Sequence, residues 1–199
     1  MARRNAKAPL KEIAKSVRLS KEAVLYRMRS LEKAGIIEGY NTIVNFTKLG
    51  FTGFAVFCRF EGIGEEKKRG IIERLVDFPQ VYWVGLCGGR FDISFGILCK
   101  SVFEFNNLYY KFCNEYSEHI AETAIAIRTE LWQNTRNYLI SDSKAREMPS
   151  FFFGKEPEIE KIDSMDSDIL SIISVNARMP VTEISGILNK PLQARSLCG

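Results

Sequence analysis

Histidine is nearly absent from this sequence: His119 is the only one among 199 residues. A catalytic site that depends on histidine, or a zinc site with mixed Cys and His ligands, therefore has little to be built from. The five cysteines lie far apart and form neither a Cys-x-x-Cys pair nor a dense disulfide framework. We predict reduced thiols, no metal site and no cofactor.

Long apolar runs are also missing. The longest, 81–87 and 93–99, fall well short of the roughly 18 residues that a membrane-spanning helix needs. The opening segment, 1–15, carries charge but not the apolar core of a signal peptide. Because 46% of the residues are hydrophobic and 26% are charged, we expect a folded protein with a cytoplasmic location and no membrane contact.

The basic charge is concentrated at one end of the chain. Residues 1–50 contain eleven Lys and Arg against four Asp and Glu, whereas the remaining 149 residues contain 17 against 20. Such an asymmetry points to a polyanionic partner for the amino-terminal end, although a basic face that is merely solvated is the alternative. Double-stranded DNA is the partner that the following motifs favour.

Apolar residues recur at helical spacing in 9–17, and a second helix is predicted over 21–34. Ser20 has the residue type of an N-cap for the second helix, and Gly35 that of its C-terminal cap. Two short helices joined by a tight turn form a helix-turn-helix. The next segment, 36–45, predicts two short strands around a turn, which would be the wing.

The second helix of such a motif carries the residues that contact DNA. Drawn as a helical wheel, the second helix has one face, predicted to be buried, that carries Val24, Met28, Leu31 and Gly35, and polar residues on the opposite face. We expect base contacts near the start of the helix and phosphate contacts farther along, with a solvated helix face as the alternative for the later cations. The predicted DNA-binding residues are Ser20, Lys21, Glu22, Tyr26, Arg27, Arg29 and Lys33.

From residue 51 the pattern changes to the order βαββαβ, which is the ferredoxin-like unit. The predicted fold class is α+β: a winged helix-turn-helix at 1–50, a ferredoxin-like domain at 51–140, a linker at 141–161 and the start of a second helix-turn-helix at 162–199. The second start is indicated by a repeat, because NAKAPLKEI at 5–13 aligns with NARMPVTEI at 176–184. Only the second copy shows a leading helix, so we expect a shortened amino terminus and an incomplete second unit.

The run LSKEAVLYRMRSLEKAGIIEGYNTIVNFTKLG, at 19–50, resembles the helix-turn-helix and wing of the leucine-responsive and asparagine-operon (Lrp/AsnC) transcriptional regulators. CGGRFDISFGI, at 87–97, resembles a hairpin of the effector-binding and dimerisation domain of that family. The resemblance covers nearly the whole chain and is closest to longer archaeal-type members that repeat the unit in tandem. No DNA-contacting role is carried over to the terminal PLQARSLCG.

The resemblance implies sequence-specific DNA binding, dimers or higher homo-oligomers, and often a small effector such as an amino acid. The effector-binding residues that it implies are Gly88, Gly89, Arg90 and Asp92. From the residues themselves, the two glycines are equally typical of a tight hairpin turn, and the aspartate of a turn cap.

Two other functions remain as alternatives. One is non-specific coating of DNA through phosphate contacts, as in chromatin-like proteins. The other is an enzyme, because siroheme decarboxylases resemble these regulators in their two-domain layout; however, their Arg/His-rich stretch is replaced here by WVGLCGGRFDISFG, which contains no histidine. With no catalytic triad, phosphate loop or metal cluster in the sequence, we predict that the chain is not an enzyme.

Overall fold

A computed structural model describes residues 8–133, 151–154 and 158–189 of the chain. These residues form two compact units, one made of 8–44 together with 161–189, the other falling within 45–160. Among the residues described, no helix combines the length and apolar character needed to cross a membrane. The helices are α1 (Leu10–Val17), α2 (Lys21–Lys33), α3 (Glu65–Val76), α4 (Val102–Glu115), α5 (Ser164–Val175) and α6 (Val181–Ile187); the strands are β1 (Thr52–Phe60), β2 (Val81–Leu86), β3 (Ile93–Cys99), β4 (Ile120–Arg128), β5 (Glu130–Gln133) and β6 (Phe151–Gly154).

The unit at 45–160 contains a four-stranded antiparallel sheet in the order β2-β3-β1-β4. Together with α3 and α4, these strands follow the βαββαβ succession predicted from the sequence, which confirms the α+β fold class. The central strands β1 and β3 place alternate residues on one face; for example, Val56 lies opposite Phe95 in the ladder. Both helices pack on this face, so the core lies between helices and sheet.

The same unit carries a second, two-stranded antiparallel sheet formed by β5 and β6. The triple phenylalanine of the sequence lies in β6, where Phe153 is buried opposite Leu131. The Phe152 ring packs against Trp132, with the ring centroids 4.4 Å apart. The rest of the predicted linker is described only at 158–161, because 141–150 and 155–157 lie outside the described residues.

The internal repeat is visible in the backbone. An offset of 171 residues aligns α1 with α6 in the sequence. The residue before each helix is a proline of similar conformation: φ is −58° and ψ is 140° at Pro9, and φ is −61° and ψ is 142° at Pro180. Arg18 and Asn189, which follow the helices at the same offset, have left-handed φ values of 56° and 50°. They are the only non-glycine residues of the described chain with positive φ, so the two copies share this backbone feature, while the start of a second helix-turn-helix here stays a prediction.

Candidate nucleic-acid interface and effector loop

The start of α2 is fixed by a short turn and an N-cap. Arg18 adopts the left-handed conformation, and the amide of Leu19 donates to the Ala14 carbonyl over 3.0 Å, which closes α1. Ser20 is extended, and its Oγ accepts a hydrogen bond of 3.1 Å from the Ala23 amide. The hydroxyl therefore satisfies one of the free amides at the amino end of α2, as the sequence predicts.

All seven residues predicted to contact DNA are exposed in the structure. Tyr26 is the most prominent, with 75% of its surface accessible. Within the residues that the structure describes, none of the four cations of this set, Lys21, Arg27, Arg29 and Lys33, forms an ion pair. Unpaired, exposed cations are available to phosphates without first breaking an internal bond.

The buried stripe of α2 is shorter than predicted. Val24 is buried and Met28 is half-buried, but Leu31 is exposed, so the prediction that Leu31 faces the interior is wrong. The reason is one of length, since α1 has 8 residues against 13 in α2, or about 12 Å against about 20 Å. The partner helix thus covers only part of α2.

The segment 36–45, predicted as two strands of a wing, contains no regular strand. Its polar groups bond to other partners: the Tyr40 hydroxyl donates to Glu32 Oε1 of α2 at 2.7 Å, and Thr42 Oγ1 donates to the Ile173 carbonyl of α5 at 2.8 Å. The Tyr40 carbonyl accepts from the Ala177 amide at 2.6 Å. The contact with 173–177 was not predicted from the sequence. The one sequence feature that marks this region is the repeated tripeptide of Asn, Ala and a cation, at 5–7 and 176–178.

The loop between β2 and β3 contains the four residues implied as effector ligands. Gly89 has a φ of +103°, which favours glycine, and a side chain added at Gly88 or Gly89 would meet no atom within 4 Å. The loop is closed by the Cys87 amide, which donates to the Asp92 carbonyl at 2.8 Å. The backbone of both glycines is therefore open to approach.

Asp92 is occupied by structural bonds. Its Oδ2 accepts from the Phe60 amide at 2.8 Å, and its Oδ1 accepts from Lys68 Nζ at 3.1 Å. The bond from the Phe60 amide, together with the Lys68 ammonium, lowers the pKa of the Asp92 carboxyl from its ordinary value. Asp92 thus ties the beginning of β3 to the end of β1 and to α3.

Arg90 is the exposed charge of the loop. It bonds to Glu122 of β4, which also accepts from Arg59 Nε at 3.4 Å. The two guanidinium groups lower the pKa of Glu122, the hydrogen bond from Arg90 having the largest effect. Because 72% of the Arg90 side chain is accessible, its guanidinium can exchange this partner for another anion at small cost.

Comparison with known proteins adds two kinds of similarity. The profile of a family described as winged helix-turn-helix DNA-binding matches residues 2–38. The chain is 45% identical over 99 residues to the HTH-type transcriptional regulator LrpA of Pyrococcus abyssi, a match covering 49% of this chain and 67% of the relative. It is also 45% identical over 88 residues to LrpA of Pyrococcus horikoshii, covering 43% of this chain but only 60% of that relative.

A similar fold occurs in the crystal structure of the transcriptional regulator NMB0573 in complex with L-Met, from Neisseria meningitidis. That structure has a TM-score of 0.56 and 16% identity, and the similarity covers 67% of this chain and 89% of the other. The two chains thus share a fold in which a helix-turn-helix precedes a ferredoxin-like sheet, although only 16% of the aligned residues are identical. With two thirds of the Pyrococcus abyssi regulator matched at 45% identity, this chain belongs to the Lrp/AsnC family of transcriptional regulators.

Proposed function

We propose that this chain is a sequence-specific DNA-binding transcriptional regulator that reads DNA with α2. The observation that carries the proposal is the surface of α2, where seven exposed residues include four cations with no ion pair among the described residues. The amino end of a second helix is the part of a helix-turn-helix that enters the major groove. The names of the two Pyrococcus relatives support the same role, and we propose no enzymatic activity.

The residues of α2 divide into two groups by position. Lys21, Glu22 and Tyr26 lie in the first two turns and contact base edges, where the Glu22 carboxylate accepts from cytosine N4. Ser20 lies beside them; its Oγ already accepts from the Ala23 amide, which leaves its hydroxyl proton and one lone pair available for DNA. Arg27, Arg29 and Lys33 contact phosphates and fix the register of the helix on the duplex.

Substitution of one cation from the second group tests this assignment. Arg29→Ala should weaken binding to every duplex and reduce the slope of log K against log salt by about 1, because one phosphate contact is lost. Arg69→Ala is the matched control, since Arg69 is an exposed arginine on α3 of the other unit. Equal affinities and slopes for the two variants, measured by fluorescence anisotropy, would refute the role of α2.

Specific reading and non-specific coating differ in the ratio of affinities for chosen and random DNA. Genomic fragments selected by the purified protein should bind at least about a thousandfold more tightly than random duplexes at the same salt concentration. Lys21→Ala, Glu22→Ala and Tyr26→Ala should each change the selected sequence, whereas Arg29→Ala should not. A uniform footprint along all fragments would favour the coating function instead.

The same proposal assigns effector binding to the loop at 87–92. We propose that the open backbone of Gly88 and Gly89 and the exposed guanidinium of Arg90 contact the carboxylate of an amino acid. Asp92 supports the loop from behind through the Phe60 amide. The L-Met complex of the similarly folded Neisseria regulator supports this class of ligand.

Titration calorimetry with L-methionine tests this part of the proposal. Arg90→Ala should weaken or abolish the binding heat, because the carboxylate loses its charged partner, while Arg69→Ala should bind as the wild type does. Unchanged affinity in Arg90→Ala would remove the loop from the effector site. Absence of heat in the wild-type protein would exclude methionine itself, and the same titration with other amino acids then decides the class.

The proposal also includes a homodimer or higher homo-oligomer. The sheet face turned away from α3 and α4 carries half-buried Phe57 and Leu98 and exposed Ala126, an apolar surface suited to a second sheet. Sedimentation equilibrium should give a mass of at least two chains. Phe57→Glu should dissociate the assembly, because it places an unpaired charge in the interface, whereas a monomeric wild-type protein would contradict the proposal.

A further inference from the structure

The segment 176–178, Asn-Ala-Arg, lies between α5 and α6 and packs against 40–42 within the first unit. The Ala177 amide donates to the Tyr40 carbonyl at 2.6 Å, and Ala177 is only 3% exposed. One turn earlier on α5, the Ile173 carbonyl accepts from Thr42 Oγ1 at 2.8 Å. Backbone of the carboxyl-terminal copy therefore satisfies polar groups in the predicted wing of the amino-terminal copy.

Arg178 extends this contact towards α2. Its guanidinium carbon lies 4.6 Å from the centre of the Tyr40 ring, and its NH2 donates to the Ala8 carbonyl at 3.5 Å. The Tyr40 hydroxyl in turn donates to Glu32 of α2 at 2.7 Å. Arg178, Tyr40 and Glu32 thus form a continuous series of contacts from the carboxyl-terminal segment to the helix that reads DNA.

The segment belongs to the internal repeat. At the offset of 171 residues, 176–178 corresponds to 5–7, so the same Asn-Ala-cation tripeptide precedes both α1 and α6. The helices that follow have the same length to within a residue, and each is preceded by a proline of similar φ and ψ and followed by a residue in the left-handed conformation.

The helix that leads into the tripeptide starts independently. Asp163 and Asp166 form a reciprocal capping box, with the Asp166 amide donating to Asp163 Oδ1 at 2.8 Å. The helix has 12 residues, a length at which an isolated helix is marginal in water, so it needs a surface to pack on. Its half-buried apolar residues are Ile169, Leu170, Ile172 and Ile173.

We infer that α5 and the segment 176–178 are an integral part of the DNA-binding unit, docked in cis on 40–42 of the same chain. In this arrangement Arg178 is a positioning residue: it holds the Tyr40 ring, and the Tyr40 hydroxyl holds Glu32 on α2. The inference rests on the proposed function for its effect on DNA, but the docking itself is a property of the protein alone. It assigns to the second helix-turn-helix start a role in completing the first.

Three variants of the full-length chain test the inference. Arg178→Ala removes the cation from the Tyr40 ring, Arg178→Lys keeps the charge without the planar group, and Tyr40→Phe keeps the ring but removes the bond to Glu32. Arg69→Ala serves as the control for losing an exposed arginine in the other unit. Amide hydrogen exchange reports docking at 40–42 and 173–178, and anisotropy on a selected duplex reports DNA affinity.

Arg178→Ala should accelerate exchange at both segments and weaken DNA binding by at least roughly two- to fivefold, the effect of losing one cation–π contact. Arg178→Lys should fall between Arg178→Ala and the wild type. Tyr40→Phe should keep the protection at 173–178 but lose DNA affinity, because only the link to α2 is broken. Exchange in Arg178→Ala that matches Arg69→Ala would overturn the docking.

Two further outcomes separate the possible failures. If the docked helix came from a second chain, crosslinks between 40–42 and 173–178 in a mixture of isotopically light and heavy protein would join light to heavy chains, which would overturn docking in cis. If the wild-type protein bound no DNA, the proposed function would fail, while exchange at the two segments would still decide the docking. Docking without any effect of Tyr40→Phe on affinity would overturn the positioning role.

Discussion

The two units of this chain are stabilised very differently. The unit at 45–160 has a core of twelve buried apolar residues. Within it, the Phe54 ring stacks on the Phe105 ring with the centroids 4.1 Å apart, and the Phe95 ring meets the Phe112 ring edge-on with the centroids 5.0 Å apart. In the other unit, the buried apolar residues among those described are all small: Ala8, Ala14, Val24 and Ala177.

This difference places most of the hydrophobic stabilisation of the described chain in one unit. A buried phenylalanine contributes about 1.5–3 kcal/mol, whereas an alanine methyl contributes about 0.8 kcal/mol, so the ferredoxin-like unit has far more hydrophobic stabilisation. Among the described residues, the helix-turn-helix unit buries its large side chains only in part, as at Met28 and Ile173, and also depends on caps and on single polar contacts. We therefore expect substitutions in the two units to differ in size and in which signals they change.

The largest effect is expected from Phe95→Ala. Phe95 is 1% exposed and its ring packs on Phe112, so its loss should cost about 3–5 kcal/mol of unfolding free energy. Both tryptophans of the chain, Trp83 and Trp132, lie in this unit, so their fluorescence during urea unfolding follows it selectively. Phe103→Ala, at a position that is 82% exposed, should stay within about 0.5 kcal/mol of the wild type. Similar losses in both variants would contradict the core assignment.

Gly96→Ala should have a smaller effect in the same unit. A side chain at Gly96 would overlap the indole of Trp83, whose buried Nε1 has no hydrogen-bond partner among the described residues. Overpacking at such a site costs about 1–3 kcal/mol. The control is Gly70→Ala in α3, where the added methyl meets no atom within 4 Å and should instead stabilise by up to about 1 kcal/mol. Urea unfolding followed by tryptophan fluorescence should show opposite signs, and a shared sign would contradict the packing argument.

Ser20→Ala tests the stability of the helix-turn-helix unit. The cap on the Ala23 amide is lost, which should destabilise α2 by about 1 kcal/mol while leaving the tryptophan-detected transition unchanged. Faster hydrogen exchange at Ala23 and Val24 is the direct measurement. Ser30→Ala, an exposed change within α2, should not accelerate exchange, because alanine favours helix more than serine does. A shift of the tryptophan transition by Ser20→Ala would show that the two units do not unfold independently.

The order of helices and strands was predictable because it depends on local periodicity. The alternation that leaves Phe57 half-buried and fully buries Val56 and Cys58 identifies β1, and the serine before α2 marks its first turn. The exposure of the predicted DNA-contacting residues was predictable from the helical periodicity of α2. Their roles in binding remain predictions.

Contacts between distant segments were not predictable in this way. The partner of Thr42 is the Ile173 carbonyl, 131 residues later, and no local pattern in 36–45 specifies it. A strand needs a partner for its backbone, and here the Tyr40 carbonyl bonds to Ala177 instead. The prediction that Leu31 is buried was wrong for a related reason. A helical wheel shows which residues share a face, but not how long the helix is that covers this face.

The smallest effect is expected at the effector loop and depends on pH. The folded pKa of Asp92 is lower than its ordinary value of 3.8, chiefly because the carboxylate accepts from the Phe60 amide. A depressed folded pKa gives stability that is present above pH 3.8 and is lost as the pH falls through the lower, folded value. Asp92 therefore stabilises its unit at neutral pH and not in strong acid.

Asp92→Asn should thus lower the unfolding free energy at pH 6 by less than about 1 kcal/mol, because the amide oxygen still accepts one bond while the charge facing Lys68 is gone. Below pH 3.8 the difference from the wild type should shrink, since the wild-type carboxyl becomes protonated as well. Asp77→Asn, at the exposed end of α3, controls for the loss of one carboxylate. Tryptophan-detected urea unfolding between pH 3 and 6 measures the effect, and a constant offset over that range would mean that Asp92 acts through its shape and not its charge.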